Sequence, residues 1–238
     1  MLYIIGLGLN DEKDLTLKGL EAIKKCDKVF LESYTSVLQT NVKELEKLYG
    51  KKIILAHREL VEQKSGEILK DAKKKNVAFL VIGDPFGATT HIDLVNQAKE
   101  KKIDVKIIHN ASVLTAVGET GLQLYNFGKV VSIPFHKSKS HMDGILTNLK
   151  NGMHTLVLLD LDPLNNKFMT IKEACDRLNL PENTKIIGCA RLGSDTQKIA
   201  YGEISKIKTI EFGSSPCCII VPGKLHFTEE EFLKQFIA

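Results

Sequence analysis

The chain has 238 residues, of which 43% are hydrophobic and 26% charged, with a formal net charge of +4. That apolar content can bury a core of ordinary size, as one large domain or two smaller ones, and excludes disorder as the main state. The charges are mixed in sign, and aromatic residues make up 6% with no tryptophan, so nothing favours an acidic partner, a nucleic acid or base stacking.

The five cysteines, Cys26, Cys175, Cys189, Cys217 and Cys218, form no CxxC pair and share no zinc-like spacing with histidines. No metal site is expected, and a reduced cytosolic setting fits. The opening Met1-Leu2-Tyr3-Ile4-Ile5 lacks the basic flank and longer apolar core of a signal peptide. No apolar run approaches membrane-spanning length, so the expectation is a soluble chain without a membrane partner.

In chain order, the apolar runs at residues 2–5, 29–31, 53–55, 77–82 and 105–108 read as strands. Between them, Leu17, Leu20 and Ile23, then Val42, Leu45 and Leu48, then Ile92, Leu94, Val95 and Ala98 mark the apolar faces of helices. This alternation predicts a parallel sheet covered on both sides, with the continuous run 77–82 as a central strand. Lys73, Lys74 and Lys75 sit where cations suit a helix end and carry no functional role. Beyond about residue 115, strand-like runs at 155–159, 185–190 and 217–221 and helical patterns at 145–149 and 171–178 predict a second α/β unit. Thr170 with Glu173, and Thr228 with Glu231, match the reciprocal capping pattern of a helix start. No linker, low-complexity tract or fixed-period repeat separates the halves, so tight packing and a ligand cleft between two domains, 1–114 and 115–238, are expected.

Four segments could carry chemistry. Ile5-Gly6-Leu7-Gly8-Leu9-Asn10-Asp11 is a glycine turn after the first strand. A dinucleotide fingerprint would need a third glycine where Asp11 stands and a helix starting at once, so NAD is disfavoured and a plain strand-ending turn remains open. Gly83-Asp84-Pro85-Phe86-Gly87-Ala88-Thr89-Thr90-His91 follows the presumed central strand, where open parallel sheets hold their ligands. Its length, polarity and stiffening proline favour a functional loop over a mere connection, with Thr90 and Asp93 able to cap the next helix. His109-Asn110-Ala111-Ser112-Val113 again follows a strand, and His109 by itself reads more simply as a structural histidine than as a base. Leu159-Asp160-Leu161-Asp162-Pro163 and Val221-Pro222-Gly223-Lys224-Leu225-His226 form a pair of strand ends in the second unit that could close the cleft from its other side.

Taken together, these segments resemble the diphthine synthase branch of the tetrapyrrole-methylase-like methyltransferases over nearly the whole chain. The resemblance rests on IGLGL at 5–9, LESYTS at 31–36, GDPFGATTH at 83–91, HNAS at 109–112, GLQLYNFG at 121–128, VSIPF at 131–135, HTLVLLD at 154–160 and VPGKLH at 221–226. It implies two α/β domains, each a mixed or parallel sheet flanked by helices, and a homodimer. S-adenosylmethionine, leaving as S-adenosylhomocysteine, would lie folded in the interdomain cleft. Carried over position by position, the implied cofactor contacts are Leu9, Asp84, Gly87, Ser112, Val113, Leu161, Leu192 and His226, several of them through backbone atoms. The implied substrate is the aminocarboxypropyl group on a histidine of translation elongation factor 2, in the cytoplasm. No catalytic residue is assigned, and Asp84 and His226 are candidates for helping proton loss between methyl transfers.

The segments GDPFGATTH and GLQLYNFG look like the eukaryotic form, associated with four methylations ending in a methyl ester. The short stretch 162–167 looks archaeal, where the reaction stops at the trimethylated amine. Rival readings are a related tetrapyrrole or RNA methyltransferase and a non-catalytic relative that binds the elongation factor.

Overall fold

The structure is a computed structural model that describes residues 1–238. It divides into two compact units, Met1–Leu114 and Thr115–Ala238.

The first unit is built on five strands, β1 (Leu2–Gly6), β2 (Lys28–Glu32), β3 (Ile53–Ala56), β4 (Val77–Val81) and β5 (Val105–Ile108), in the spatial order β3-β2-β4-β1-β5. Every neighbouring pair runs parallel. All five residues of β4 are fully buried, as a strand covered on both faces requires. The helices are α1 (Leu17–Lys24), α2 (Val42–Tyr49), α3 (Arg58–Glu62), α4 (Gly66–Ala72) and α5 (Ile92–Glu100).

Successive side chains along a strand point to opposite faces, and this splits the core in two. Leu2, Ile4, Phe79 and Val81 pack with Ile68 and Leu69 of α4 and with Leu94 and Ala98 of α5. Ile5, Ala78 and Leu80 pack with Ala22 and Ile23 of α1 and with Leu45 and Tyr49 of α2. Each fully buried Leu, Ile or Phe contributes roughly 1.5–3 kcal/mol of hydrophobic stabilisation, so the two layers hold the sheet's carboxyl edge rigid. A four-residue helix, α6 (Val113–Ala116), carries the chain past residue 114.

The second unit contains β6 (Val131–Ile133), β7 (Thr155–Leu159), β8 (Leu161–Asp162), β9 (Lys167–Phe168), β10 (Lys185–Ala190), β11 (Lys198–Glu203) and β12 (Cys217–Val221). Its main sheet has the order β11-β10-β12-β7-β6 and is mixed: only β6 and β7 are parallel, and the other pairs are antiparallel. Strands β8 and β9 form a separate hairpin. One face is covered by α7 (Ser140–Lys150), α8 (Ile171–Cys175) and α9 (Ile204–Ile207), whose Ile145, Ile171 and Ile207 join Val157, Ile186 and Ile219 in a single core. The chain closes with α10 (Phe227–Leu233).

Several expectations are corrected. The strands β6, β8, β9 and β11 lack the long apolar runs that marked the others. β6 and the β8–β9 pair are two or three residues long, and β11, Lys-Ile-Ala-Tyr-Gly-Glu, is an edge strand with one buried residue. The capping box at Thr170 and Glu173 is present, both reciprocal bonds included. The one expected at Thr228 and Glu231 is displaced by two residues: His226 is the cap and Glu229 the reciprocal acid, while Glu231 pairs with Lys234. Nor does Thr90 cap α5. His91 occupies the cap position without a side-chain bond, and Asp93 accepts from Gln97 instead.

Candidate functional site

The parallel strands β1, β4 and β5 are neighbours, so the three segments following their carboxyl ends meet at one edge of the first sheet. Gly8 and Gly83 pair across two of them: Gly83 N donates to Gly8 O at 2.8 Å and Gly8 N to Gly83 O at 3.3 Å. Gly8 has φ +88°, and a Cβ there would lie 2.5 Å from Asp14 Cβ, so both conformation and space demand glycine.

Three polar side chains lock these loops. Asp14 Oδ2 accepts from Leu9 N at 2.9 Å and from Asn10 N at 2.7 Å. Asn110 Nδ2 donates to Gly6 O and to Asp14 O, each at 3.0 Å. Asp84 Oδ1 accepts from Phe86 N at 2.9 Å, and its Oδ2 from His109 Nδ1 at 2.8 Å and Asn110 N at 3.1 Å. Partial burial pushes the Asp84 carboxyl up, but the donors Phe86 N, His109 and Asn110 N outweigh it and hold its pKa below the usual carboxylate value. Asp84 is therefore a fixed anion. A carboxylate offers about four lone-pair sites and three are engaged, so with 16% of its side chain exposed it can accept one further donor such as a hydroxyl or ammonium group. His109, two-thirds exposed, orients this carboxylate, consistent with the plainer of its two readings.

The other expected contacts in this unit lie on the same frame. Gly87 N donates to Asp84 O at 3.1 Å, and a Cβ on Gly87 would stand 2.7 Å from Ser112 Oγ. Ser112 is buried, and its Oγ accepts from Leu114 N at 3.3 Å. Val113 begins α6. Leu9, Asp84, Gly87, Ser112 and Val113 thus follow three adjacent strand ends, and no side-chain functional group but Asp84 and Ser112 is on offer among them.

In the second unit the strand directions separate the remaining three. Because β12 runs antiparallel to both β7 and β10, Leu161 and Leu192 lie beyond one edge of the sheet and His226 beyond the opposite one. The two strand-end segments 159–163 and 221–226 therefore leave the sheet in opposite directions. Leu161 N donates to Asp160 Oδ1 at 3.0 Å, while Asp160 Oδ2 accepts from Phe135 N at 2.8 Å. Leu192 is buried. His226 Nδ1 lies 2.8 Å from Thr228 Oγ1 and 3.4 Å from Thr228 N.

This geometry belongs to a known group of proteins. The profile of the tetrapyrrole (corrin/porphyrin) methylases matches residues 1–208. A diphthine methyl ester synthase of Candida glabrata is 46% identical over 267 aligned positions, covering 99% of this chain and 90% of the relative. The human diphthine methyl ester synthase is 44% identical over 270 positions, covering 99% and 95%. The crystal structure of a diphthine synthase superposes with a TM-score of 0.95 at 38% identity, covering 99% of this chain and 95% of the other. The chain belongs to the diphthine synthase branch of the tetrapyrrole methylase family. It is an S-adenosylmethionine-dependent methyltransferase. The carboxyl edge of the methylase's first sheet suits such a cofactor, since Asp84 is an ionised, oriented acceptor with spare capacity and Gly83, Gly87 and Ser112 on the same frame are small.

Asp14 and Asn110 have no individual role in the sequence reading, although with His109 they build the frame. The signal available was weak: an acid shortly after a glycine turn, and an Asn where a strand ends.

Proposed function

We propose that this methyltransferase acts on the aminocarboxypropyl-histidine of translation elongation factor 2 in diphthamide biosynthesis. The observation that carries this reading is the similarity to diphthine methyl ester synthases, 46% in Candida glabrata and 44% in human, sustained over 99% of the chain. The names of those relatives favour a fourth methylation, on the carboxylate, after three on the amine. The short stretch that looked archaeal is a closed hairpin in which Asn166, at φ +49°, turns the chain from Pro163–Asn165 into β9.

S-adenosylmethionine supplies an electrophilic methyl group on its sulfonium. The chain's own task is to hold the cofactor and an unprotonated amine or a carboxylate in line and to keep water out. We assign Leu9, Asp84, Gly87, Ser112 and Val113 as contacts from the first unit, and Leu161, Leu192 and His226 from the second. Asp84 accepts from a ribose hydroxyl or the ammonium of the cofactor. Its depressed pKa makes it a poor proton acceptor at neutral pH, so its role is binding. No side chain is assigned as a general base. A homodimer and a cytoplasmic location accompany this reading. No helix is long and apolar enough to cross a membrane.

Intact-mass analysis of aminocarboxypropylated elongation factor 2, incubated with the protein and S-adenosylmethionine, tests the reading. Four added methyl masses are expected, one of them removed by mild alkali as an ester must be. Three alkali-stable additions would restrict the activity to the amine. No addition by a protein that binds S-adenosylhomocysteine would assign another acceptor.

A further inference from the structure

The second unit contains a fully buried, hydrogen-bonded histidine–glutamate couple that the methyl transfer does not use. His154 and Glu229 have no exposed side-chain surface, and His154 Nε2 lies 3.1 Å from Glu229 Oε1. His154 Nδ1 accepts from Gly223 N at 2.9 Å. That bond leaves the ring proton on Nε2, which therefore donates to the carboxylate.

Glu229 receives two further donors, Gln123 N on Oε1 at 2.8 Å and His226 N on Oε2 at 2.7 Å. Burial pushes the Glu229 carboxyl up, but the backbone donors His226 N and Gln123 N, followed by His154, hold its pKa below the ordinary value. The couple thus ties together the GLQL, HTLVL and VPGKLH segments. Lys224 N adds a bond to Gly152 O at 3.0 Å, and a Cβ on Gly223 would stand 2.5 Å from Gly152 O. The turn between β12 and α10 is consequently held at both ends, and its last residue is His226.

We propose that His154 and Glu229 are positioning residues for S-adenosylmethionine: they fix the backbone of the 222–226 turn and with it the place of His226. This rests on the reading of His226 as a cofactor contact. A buried carboxylate satisfied by three donors is costly to disturb, which makes the couple suited to holding a loop in one conformation. Neither residue touches the reacting atoms.

The test is calorimetric titration of S-adenosylhomocysteine into the full-length protein and its variants, with melting temperatures and steady-state kinetics beside it. In Glu229→Gln one carbonyl oxygen replaces two carboxylate oxygens, so the amide N–H groups are turned toward at least one of the three donors, a group that only donates. The expected result is affinity weaker by about tenfold, near 1.4 kcal/mol, and a raised KM for S-adenosylmethionine, with kcat at saturating cofactor within about twofold of the parent. His154→Gln removes the acceptor of Gly223 N while keeping a donor for Glu229, and should show the same split. It decides the matter if Glu229→Gln does not fold. Ile219→Val, a truncation in the core of the same unit, controls for lost stability and should leave affinity unchanged. Parental affinity in the folded couple variants overturns the inference, as does equal weakening in Ile219→Val. A parent protein that does not bind S-adenosylhomocysteine at all overturns the underlying cofactor reading, a result distinct from either.

Discussion

His91 closes the GDPFGATTH segment as a buried histidine with no hydrogen-bond partner on either ring nitrogen. It packs edge-on against Phe79 at 5.2 Å and Tyr34 at 6.1 Å between centroids. Burial alone depresses its pKa from 6.5 to about 4 because the imidazolium has nothing to solvate it. The folded chain therefore binds this proton less readily than the unfolded chain. The contribution to stability is fully present above pH 6.5 and is lost as pH falls toward 4. The whole shift corresponds to about 3 kcal/mol, of which about 2 kcal/mol is already lost at about pH 5. Replacing the ring by an apolar side chain of similar volume, His91→Leu, removes the titration and two unpaired buried atoms, at the cost of the two aromatic contacts, about 0.5–1.5 kcal/mol each at most. Urea unfolding at about pH 7.5 and about pH 5 measures the difference. The parent should lose about 2 kcal/mol more than the variant between the two conditions. Equal losses in parent and variant would refute the assignment of a neutral, isolated imidazole at this position.

Two further perturbations test other parts of the fold. Gly87→Ala forces a Cβ to 2.7 Å from Ser112 Oγ and 2.8 Å from Ser112 Cβ. Overpacking of this kind costs roughly 1–3 kcal/mol, so a lower melting temperature and S-adenosylhomocysteine affinity reduced by about tenfold or more are expected by scanning and titration calorimetry. Thr170→Ala deletes an acceptor for Glu173 N at 3.2 Å and half of the α8 capping box. It should cost about 1 kcal/mol in chemical denaturation, whereas Thr228→Ala, which leaves the His226–Glu229 cap in place, should cost less.

The first unit's sheet was legible because its inner strands β1, β2 and β4 are almost wholly buried and read as apolar runs, while the half-exposed edge strands β3 and β5 are still mostly aliphatic. All five strands were found within two residues of their observed ends, and their parallel arrangement followed from the intervening helices. The second unit obeys a different rule. Its antiparallel pairs need no helical crossover, so β11 could follow β10 by a short turn and be written mostly in polar residues. Three-residue β6 takes its stability from pairing with β7 rather than from its own composition. Periodicity has nothing to register in so short an element.

The site shows the same division between local and non-local information. Glycines and strand ends announce the loops at 5–11, 83–91 and 109–113, because turning sharply and approaching another backbone demand particular residue types at fixed places. What locks those loops is not local. Asn110 reaches Asp14 across 96 positions and Asp84 across 26, and His154 meets Glu229 across 75. Each of these residues alone fits an ordinary solvent-facing role. Glu229 illustrates how a sound local rule can select the wrong pair. Thr228 and Glu231 have the spacing of a capping box, but Glu229 is the acid that points inward, because His154 and Gln123 wait there with donors. Once the carboxylate is committed to the interior, it can also accept from His226 N, and the helix must start two residues earlier than the threonine proposes. The helix boundary is thus a consequence of the buried polar network, and the network is a consequence of which three segments the sheet brings to one edge.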